Sequence, residues 1–222
     1  MLLEHKARYL QIAFNYDLRQ AKAILPYIPR SPRIIIEAGT PFIKREGMNG
    51  IRQLSWYWNG LILADLKTSD GALEEVYMAY DAGASGASVL GSAPHETLNL
   101  FIQRCQQLKM ISMIDMLGVD DPLKCILKLS SPPDVVILHK GRDEENTRGK
   151  LINYRHVTRI RSKYDVLIAA AGGIDLDQAR SAIFNGANIV VANVVNPDDP
   201  WSGIDSAGDV GKIAQEFLRT IE

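Results

Sequence analysis

Asp134-Val135-Val136-Ile137-Leu138-His139 is the stretch that decides how this chain folds. Four apolar residues follow one another without a polar break, so both faces of the segment must be buried. Two-sided burial on extended backbone marks a parallel strand covered by helices. A polar residue, His139, ends the run, and Gly141, Arg142 and Asp143 follow as loop. The same form recurs along the chain. The runs are Leu10–Phe14, Ile34–Glu37, Leu61–Asp65, Ala87–Gly91, Met110–Asp115, Asp134–His139, Val166–Ala171 and Asn188–Asn193. They begin about every 22–32 residues, the size of one strand-plus-helix unit. Between them, Leu73–Ala82, Glu96–Leu108 and Leu176–Asn185 carry helical patterning, and Gly83 and Gly186 supply stops. Eight such units predict an α/β protein, a single (β/α)8 TIM barrel, with residues 1–222 as one domain. A doubly wound open sheet is the alternative. It would normally carry a Gly-x-Gly-x-x-Gly turn after its first strand, and Leu10–Asp17 has none.

Composition narrows the partners. Hydrophobic residues make up 46% and charged residues 23%, with a formal net charge of −1. No global field draws the chain to nucleic acid or to an anionic membrane, and neither is expected as a partner. Met1–Arg8 offers no apolar core for a secretory signal, and no apolar run approaches bilayer length. Cys105 and Cys125 lie in helical segments and form no Cys-x-x-Cys pair, so reduced thiols and a cytoplasmic location are expected.

Barrel enzymes place their chemistry at the C-terminal ends of the strands. Those ends here are Asn15, Glu37, Asp65, Gly91, Asp115, His139, Gly172-Gly173 and Asn193. Buried polar groups are costly unless paired, so their gathering at one end points to a common mouth. The third strand is sharpest. Asp65 and Lys67 stand two apart, which puts both side chains on one face of extended backbone, and Asp70 follows on the loop. A lysine between carboxylates keeps its proton. Such an ammonium suits a developing enolate or carbanion better than a Schiff base, which needs a neutral amine. A surface ion-pair cluster is the plainer reading, and the strand-end position argues against it.

Asp65-Leu66-Lys67-Thr68-Ser69-Asp70-Gly71, together with Glu37-Ala38-Gly39-Thr40-Pro41-Phe42-Ile43-Lys44-Arg45-Glu46-Gly47-Met48, resembles the orotidine 5′-monophosphate decarboxylase suprafamily. Within it the chain is most similar to the 3-hexulose-6-phosphate synthases, with the 3-keto-L-gulonate-6-phosphate decarboxylases as near relatives. Leu10-Gln11-Ile12-Ala13, Ser88-Val89-Leu90-Gly91-Ser92-Ala93, His139 with Gly141 and Asp143, and Ala171-Gly172-Gly173-Ile174 extend the likeness over nearly the whole chain. The resemblance implies roles. Glu37 and Asp65 would hold a Mg²⁺ that binds the oxygens of an enediolate, and Lys67 would stabilise that enediolate. Asp70 would reach into the neighbouring subunit, which implies a homodimer with shared active sites. His139 would move a proton or orient the substrate, and Asp115 would lie near the substrate hydroxyls. Asn15, Arg142 and Asn193 complete the expected substrate contacts. The backbone N–H groups of Gly172 and Gly173 sit where barrels hold a phosphate.

The activity implied is a Mg²⁺-dependent lyase acting on a sugar phosphate, joining formaldehyde to ribulose 5-phosphate and reversing that addition. The alternative is a decarboxylase of 3-keto-L-gulonate 6-phosphate or orotidine 5′-phosphate, and Arg142 resembles the decarboxylases' arginine in its loop. Two positions depart from the family. The first strand ends Ala13-Phe14-Asn15 where relatives have Ala-Leu-Asp, and Asn15 cannot act as a base. The eighth runs Val191-Ala192-Asn193-Val194-Val195-Asn196, without the glycine and cation of the usual phosphate turn. Lys140, Arg142, Arg148 and Lys150 could supply charge from the sixth loop. These departures motivate a reading of another class, a non-catalytic or substrate-shifted phosphate-binding barrel. His5 and His156 read as surface or helix residues, His95 as a neighbour of strand four, and Trp56, Tyr57 and Trp58 as packing or dimer contacts. Pro197-Asp198-Asp199-Pro200 reads as a turn before the last helix.

Overall fold

The computed structural model describes residues 2–145 and 151–222; Arg148 and Lys150 lie outside the described residues. Eight parallel strands close on themselves. They are β1 (Tyr9–Phe14), β2 (Ile34–Ala38), β3 (Leu61–Thr68), β4 (Gly86–Leu90), β5 (Ile111–Asp115), β6 (Val135–His139), β7 (Leu167–Ala171) and β8 (Ile189–Val195). Each pairs with the next, and β1 pairs with β8 from Tyr9 opposite Ile189 to Ala13 opposite Asn193. The (β/α)8 barrel expected from the sequence is the fold. The helices are α1 (Leu18–Ile24), α2 (Thr40–Tyr57), α3 (Ala72–Asp81), α4 (His95–Gln107), α5 (Pro122–Ile126), α6 (Arg142–Glu145), α7 (Arg155–Arg161), α8 (Leu176–Phe184) and α9 (Val210–Thr220). A short strand that the sequence did not announce, β9 (Ile204–Asp205), pairs with the upper end of β8.

Alternation along the strands explains the continuous apolar runs. Leu10, Ile12 and Phe14 point outward to the helices, while Tyr9 and Ala13 point into the barrel. Ile35, Leu63, Met113, Ile137, Ala169 and Val191 fill the interior from the other strands. This apolar plug makes the barrel a packed core, not a pore. One step further up, the inward residue turns polar: Glu37 follows Ile35, Asp65 follows Leu63, Asp115 follows Met113 and His139 follows Ile137. The site is thus the top layer of the core.

Asp17, Asp121, Asp175 and Asp209 cap α1, α5, α8 and α9, each accepting from the amide three residues on. Each such cap contributes about 1 kcal/mol. Gly47 breaks α2 with φ 62, a left-handed conformation that costs a glycine little. His156 lies on α7, the helical of its two expected placements, and is buried there; Trp58 is packed under Arg30, while Trp56 stands 84% exposed. No helix among the described residues is long and apolar enough to cross a membrane.

Candidate active site

Lys67 reaches the mouth by a different route from the one simple alternation predicts. Against β4, Ala64 pairs with Ala87 and Thr68 with Val89, so β3 carries two extra residues there. Lys67 sits in this bulge with φ 47. A lysine in that region costs on the order of 1 kcal/mol or more, and bulges of this kind re-aim side chains at active sites. Its amide donates to Ser88 Oγ (3.1 Å), which holds the kink. Its Nζ turns back to donate to Asp65 Oδ1 (3.1 Å) and to Asp115 Oδ2.

The network continues on both sides. Ser88 Oγ donates to Asp65 Oδ1 (2.6 Å), and the Thr40 hydroxyl lies 2.8 Å from Asp65 Oδ2. His139 Nδ1 stands 2.8 Å from Asp115 Oδ2, while Asp115 Oδ1 accepts from the Leu117 amide (3.0 Å). Asp65, Lys67, Asp115 and His139 therefore form one continuous line of polar contacts. Gln11 Nε2 donates to Glu37 Oε2 from the floor.

Burial alone would lower the Lys67 pKa, but Asp65 and Asp115 outweigh it and hold the ammonium above its usual range. Burial would likewise raise Asp115, and His139 and Lys67 overcome it and keep the carboxylate ionised. For His139, burial is opposed by Asp115, and the result is upward from its ordinary 6.5. Burial, then the charge of Asp65, pushes Glu37 up to about 7. The Gln11 amide and the charges of Lys67 and His139 act downward there and are outweighed.

These groups line a cavity of about 340 Å³, floored by Leu63, Ile137 and Val191. Asn15, Arg142, Gly172 and Asn193 line it too, and Asn15 Nδ2 donates to Asn193 Oδ1 (3.0 Å). Asp70, expected to serve a neighbouring subunit, and Gly173 do not line this cavity. Asp70 is exposed on the loop after β3. Gly173 is buried behind Gly172, which alone of the pair faces the cavity. Gly172 has φ 109, and a Cβ there would meet the Lys140 carbonyl oxygen at 2.0 Å, so this close approach requires glycine.

Glu37 and Asp65 form an all-oxygen pair, and the Gln11 side-chain oxygen Oε1 is buried beside Glu37 without a hydrogen-bond partner among the described residues. Such a pair fits a hard divalent cation that keeps several waters. Among the described residues no cluster of three His, Cys, Asp or Glu side chains offers a fuller protein cage. Sequence reasoning missed Gln11, Thr40 and Ser88 as site residues. A glutamine inside the apolar run Leu10–Phe14 was the available signal for the first.

Comparison with known proteins gives this arrangement a family. The model of the orotidine 5′-phosphate decarboxylase / HUMPS family matches residues 8–193. The chain belongs to that family. The enzymes of the family that it matches are carbon–carbon lyases. A bifunctional enzyme Fae/Hps from Methanothrix thermoacetophila is 35% identical over 216 residues, 96% of this chain and 53% of that protein. The Methanocaldococcus jannaschii bifunctional enzyme Fae/Hps is 36% identical over 211 residues, 95% of this chain and 51% of that one. The chain thus spans about half the length of these curated relatives. The 3-hexulose-6-phosphate synthase structure from Salmonella typhimurium superposes with a TM-score of 0.84 at 27% identity, covering 96% of this chain and 98% of the other. A KGPDC structure from Streptococcus mutans shares the fold at TM-score 0.78 and 17% identity, covering 97% and 98% of the two chains.

Proposed function

We propose that this chain is a Mg²⁺-dependent lyase of the 3-hexulose-6-phosphate synthase kind, joining formaldehyde to ribulose 5-phosphate through an enediolate and reversing that addition. The observation that carries the reading is the Lys67 ammonium fixed between Asp65 and Asp115 inside a cavity of sugar-phosphate size. An enediolate gathers negative charge on oxygen, and a preorganised cation at that point lowers the barrier to it. With Nδ1 on Asp115, His139 keeps Nε2 for the substrate. Neutral His139 takes a proton from C1 of the pentulose. The released pair forms the C1–C2 double bond, and the carbonyl pair moves onto the C2 oxygen beside Lys67. The C2 oxygen pair then re-forms the carbonyl, the C1–C2 double-bond pair makes the new bond from C1 to formaldehyde carbon, the formaldehyde pair moves to its oxygen, and His139 returns the proton there. No atom is lost. A Mg²⁺ held by Glu37 and Asp65 would supply Lewis-acid stabilisation of neighbouring substrate oxygens.

A homodimer with shared sites belongs to the same proposal. Exposed Asp70 is continued along α3 by Leu73, Tyr77 and Tyr80, an apolar stripe at helical spacing that a second copy would cover. The two free thiols, Cys105 and Cys125, accord with the reducing cytoplasm.

Arg142 at the cavity favours a second reading, decarboxylation of 3-keto-L-gulonate 6-phosphate, in which the same enediolate arises as CO₂ leaves. Asn15, tied to Asn193, motivates the third, a barrel that binds without turnover. Deuterium exchange at C1 of ribulose 5-phosphate, followed by NMR with Mg²⁺ and no formaldehyde, tests the shared intermediate. The wild type exchanges, and Lys67→Ala slows exchange by roughly 10²–10³-fold. Exchange at the wild-type rate in the variant would remove the lysine's role, and none in the wild type would reject the enediolate.

A further inference from the structure

The eighth strand shows why the substrate's anionic end needs another grip. β8 continues as strand through Val195 and pairs there with β9, Val194 opposite Ile204 and Val195 opposite Asp205. Beyond it, the Asn196 amide donates to Asp199 Oδ2 (2.7 Å) and the Ser206 amide to the Val195 carbonyl (2.8 Å). Gly203 packs so closely that a Cβ would stand 2.2 Å from the Asn193 carbonyl oxygen. The backbone here is engaged with itself. Charge is also of the wrong sign. No Lys or Arg occurs between Arg180 and Lys212, while Asp198, Asp199, Asp205 and Asp209 do. On this side the Asn196 and Ser206 amides are taken, and residues 181–211 carry no Lys or Arg to meet an anion.

A cation does stand across the mouth. Arg142, at the start of α6, lines the cavity together with Gly172. Its guanidinium lies 4.1 Å from the ring centroid of Trp201, which comes from the β8–β9 connection. The two flanking loops are therefore joined over the β7 end. The Trp201 indole N–H is buried without a hydrogen-bond partner among the described residues, so stacking on Arg142 is the polar contact seen at this ring. Stacking leaves the edge of a guanidinium, with its N–H groups, available to an oxyanion.

We propose that Trp201 is a positioning residue that holds Arg142 at the cavity mouth, so that the phosphate of the substrate is gripped from the β6 loop in place of the eighth-strand turn. The inference rests on the sugar-phosphate reading above. Because the ring acts through its face, phenylalanine should largely replace it and alanine should not.

The test is steady-state kinetics of the full chain with Mg²⁺ and formaldehyde, comparing ribulose 5-phosphate with unphosphorylated ribulose. For Trp201→Ala, KM for ribulose 5-phosphate rises roughly tenfold while kcat changes much less. Trp201→Phe returns KM to within a few-fold of wild type, and kcat/KM for ribulose is the same in all three proteins. Thermal melts within a few degrees of wild type exclude loss of the fold. If the alanine variant falls equally on both substrates, Trp201 is merely structural and the inference is overturned. An unchanged KM for ribulose 5-phosphate overturns it too, leaving the sugar-phosphate reading intact. Should Trp201→Ala not fold, failure of folded Trp201→Phe to keep a near-wild-type KM overturns it in the same way. No turnover or binding of ribulose 5-phosphate by the wild type rejects the sugar-phosphate reading, and this inference with it.

Discussion

Glu37→Gln should stabilise the metal-free protein at alkaline pH while abolishing its activity. The folded barrel raises this carboxyl from its ordinary 4.5 to about 7, through burial and then through Asp65. That displacement corresponds to about 3 kcal/mol favouring the neutral form. The folded state therefore holds a proton that the unfolded state releases between those two values. Stability from this group is full below about 4.5, falls as pH rises, and is lost above about 7. Glutamine is neutral throughout. It also suits its neighbour, since the Gln11 side-chain oxygen Oε1, unpartnered among the described residues, can turn to accept from the new amide. Relative to wild type, the Glu37→Gln protein should gain nearly nothing at about pH 4.5 and about 3 kcal/mol at about pH 8. For a chain of this size that is roughly 6–12 °C in Tm. Thermal melts in EDTA across that pH range give the measurement directly. Added Mg²⁺ should then stabilise the wild type and leave the variant unmoved. A gain independent of pH, or a loss at the alkaline end, would show that Glu37 does not hold a proton in the folded barrel.

Asp115→Asn removes the charge that holds His139 above 6.5 against burial, so the acid limb of the kcat/KM profile should move downward in pH. A limb that stays in place assigns the titration to another group. If Asp70 serves the neighbouring subunit, inactive Asp70→Ala and Lys67→Ala proteins should recover about a quarter of wild-type activity when unfolded and refolded together in equal amounts. Activity no greater than the sum of the parents contradicts shared sites.

The strands and the polar top layer were legible because the barrel writes them as a repeating rule. Gln11 apart, inward positions stay apolar until the layer where water and substrate meet, and Glu37, Asp65, Asp115 and His139 stand one step beyond that limit. The bulge at Lys67 was not legible. No glycine marks it, and it depends on Ser88 from the next strand, a contact with no local sequence signature. Thr40 and Ser88 escaped for the same reason: each is an ordinary hydroxyl until Asp65 is placed against it. β9 is two residues long and exists through pairing with β8, so periodicity has nothing to register. Trp201 merely follows the Pro197–Pro200 turn in sequence, and only the closed barrel brings it to Arg142.

The central claim is tested most directly by following ribulose 5-phosphate with purified protein, Mg²⁺ and formaldehyde. Pentulose and formaldehyde should disappear one for one, EDTA should stop the reaction and Mg²⁺ should restore it. Ribulose 5-phosphate left unconsumed in the presence of formaldehyde and Mg²⁺ would contradict it, and CO₂ released from 3-keto-L-gulonate 6-phosphate by the same protein would transfer the site to the decarboxylase reading.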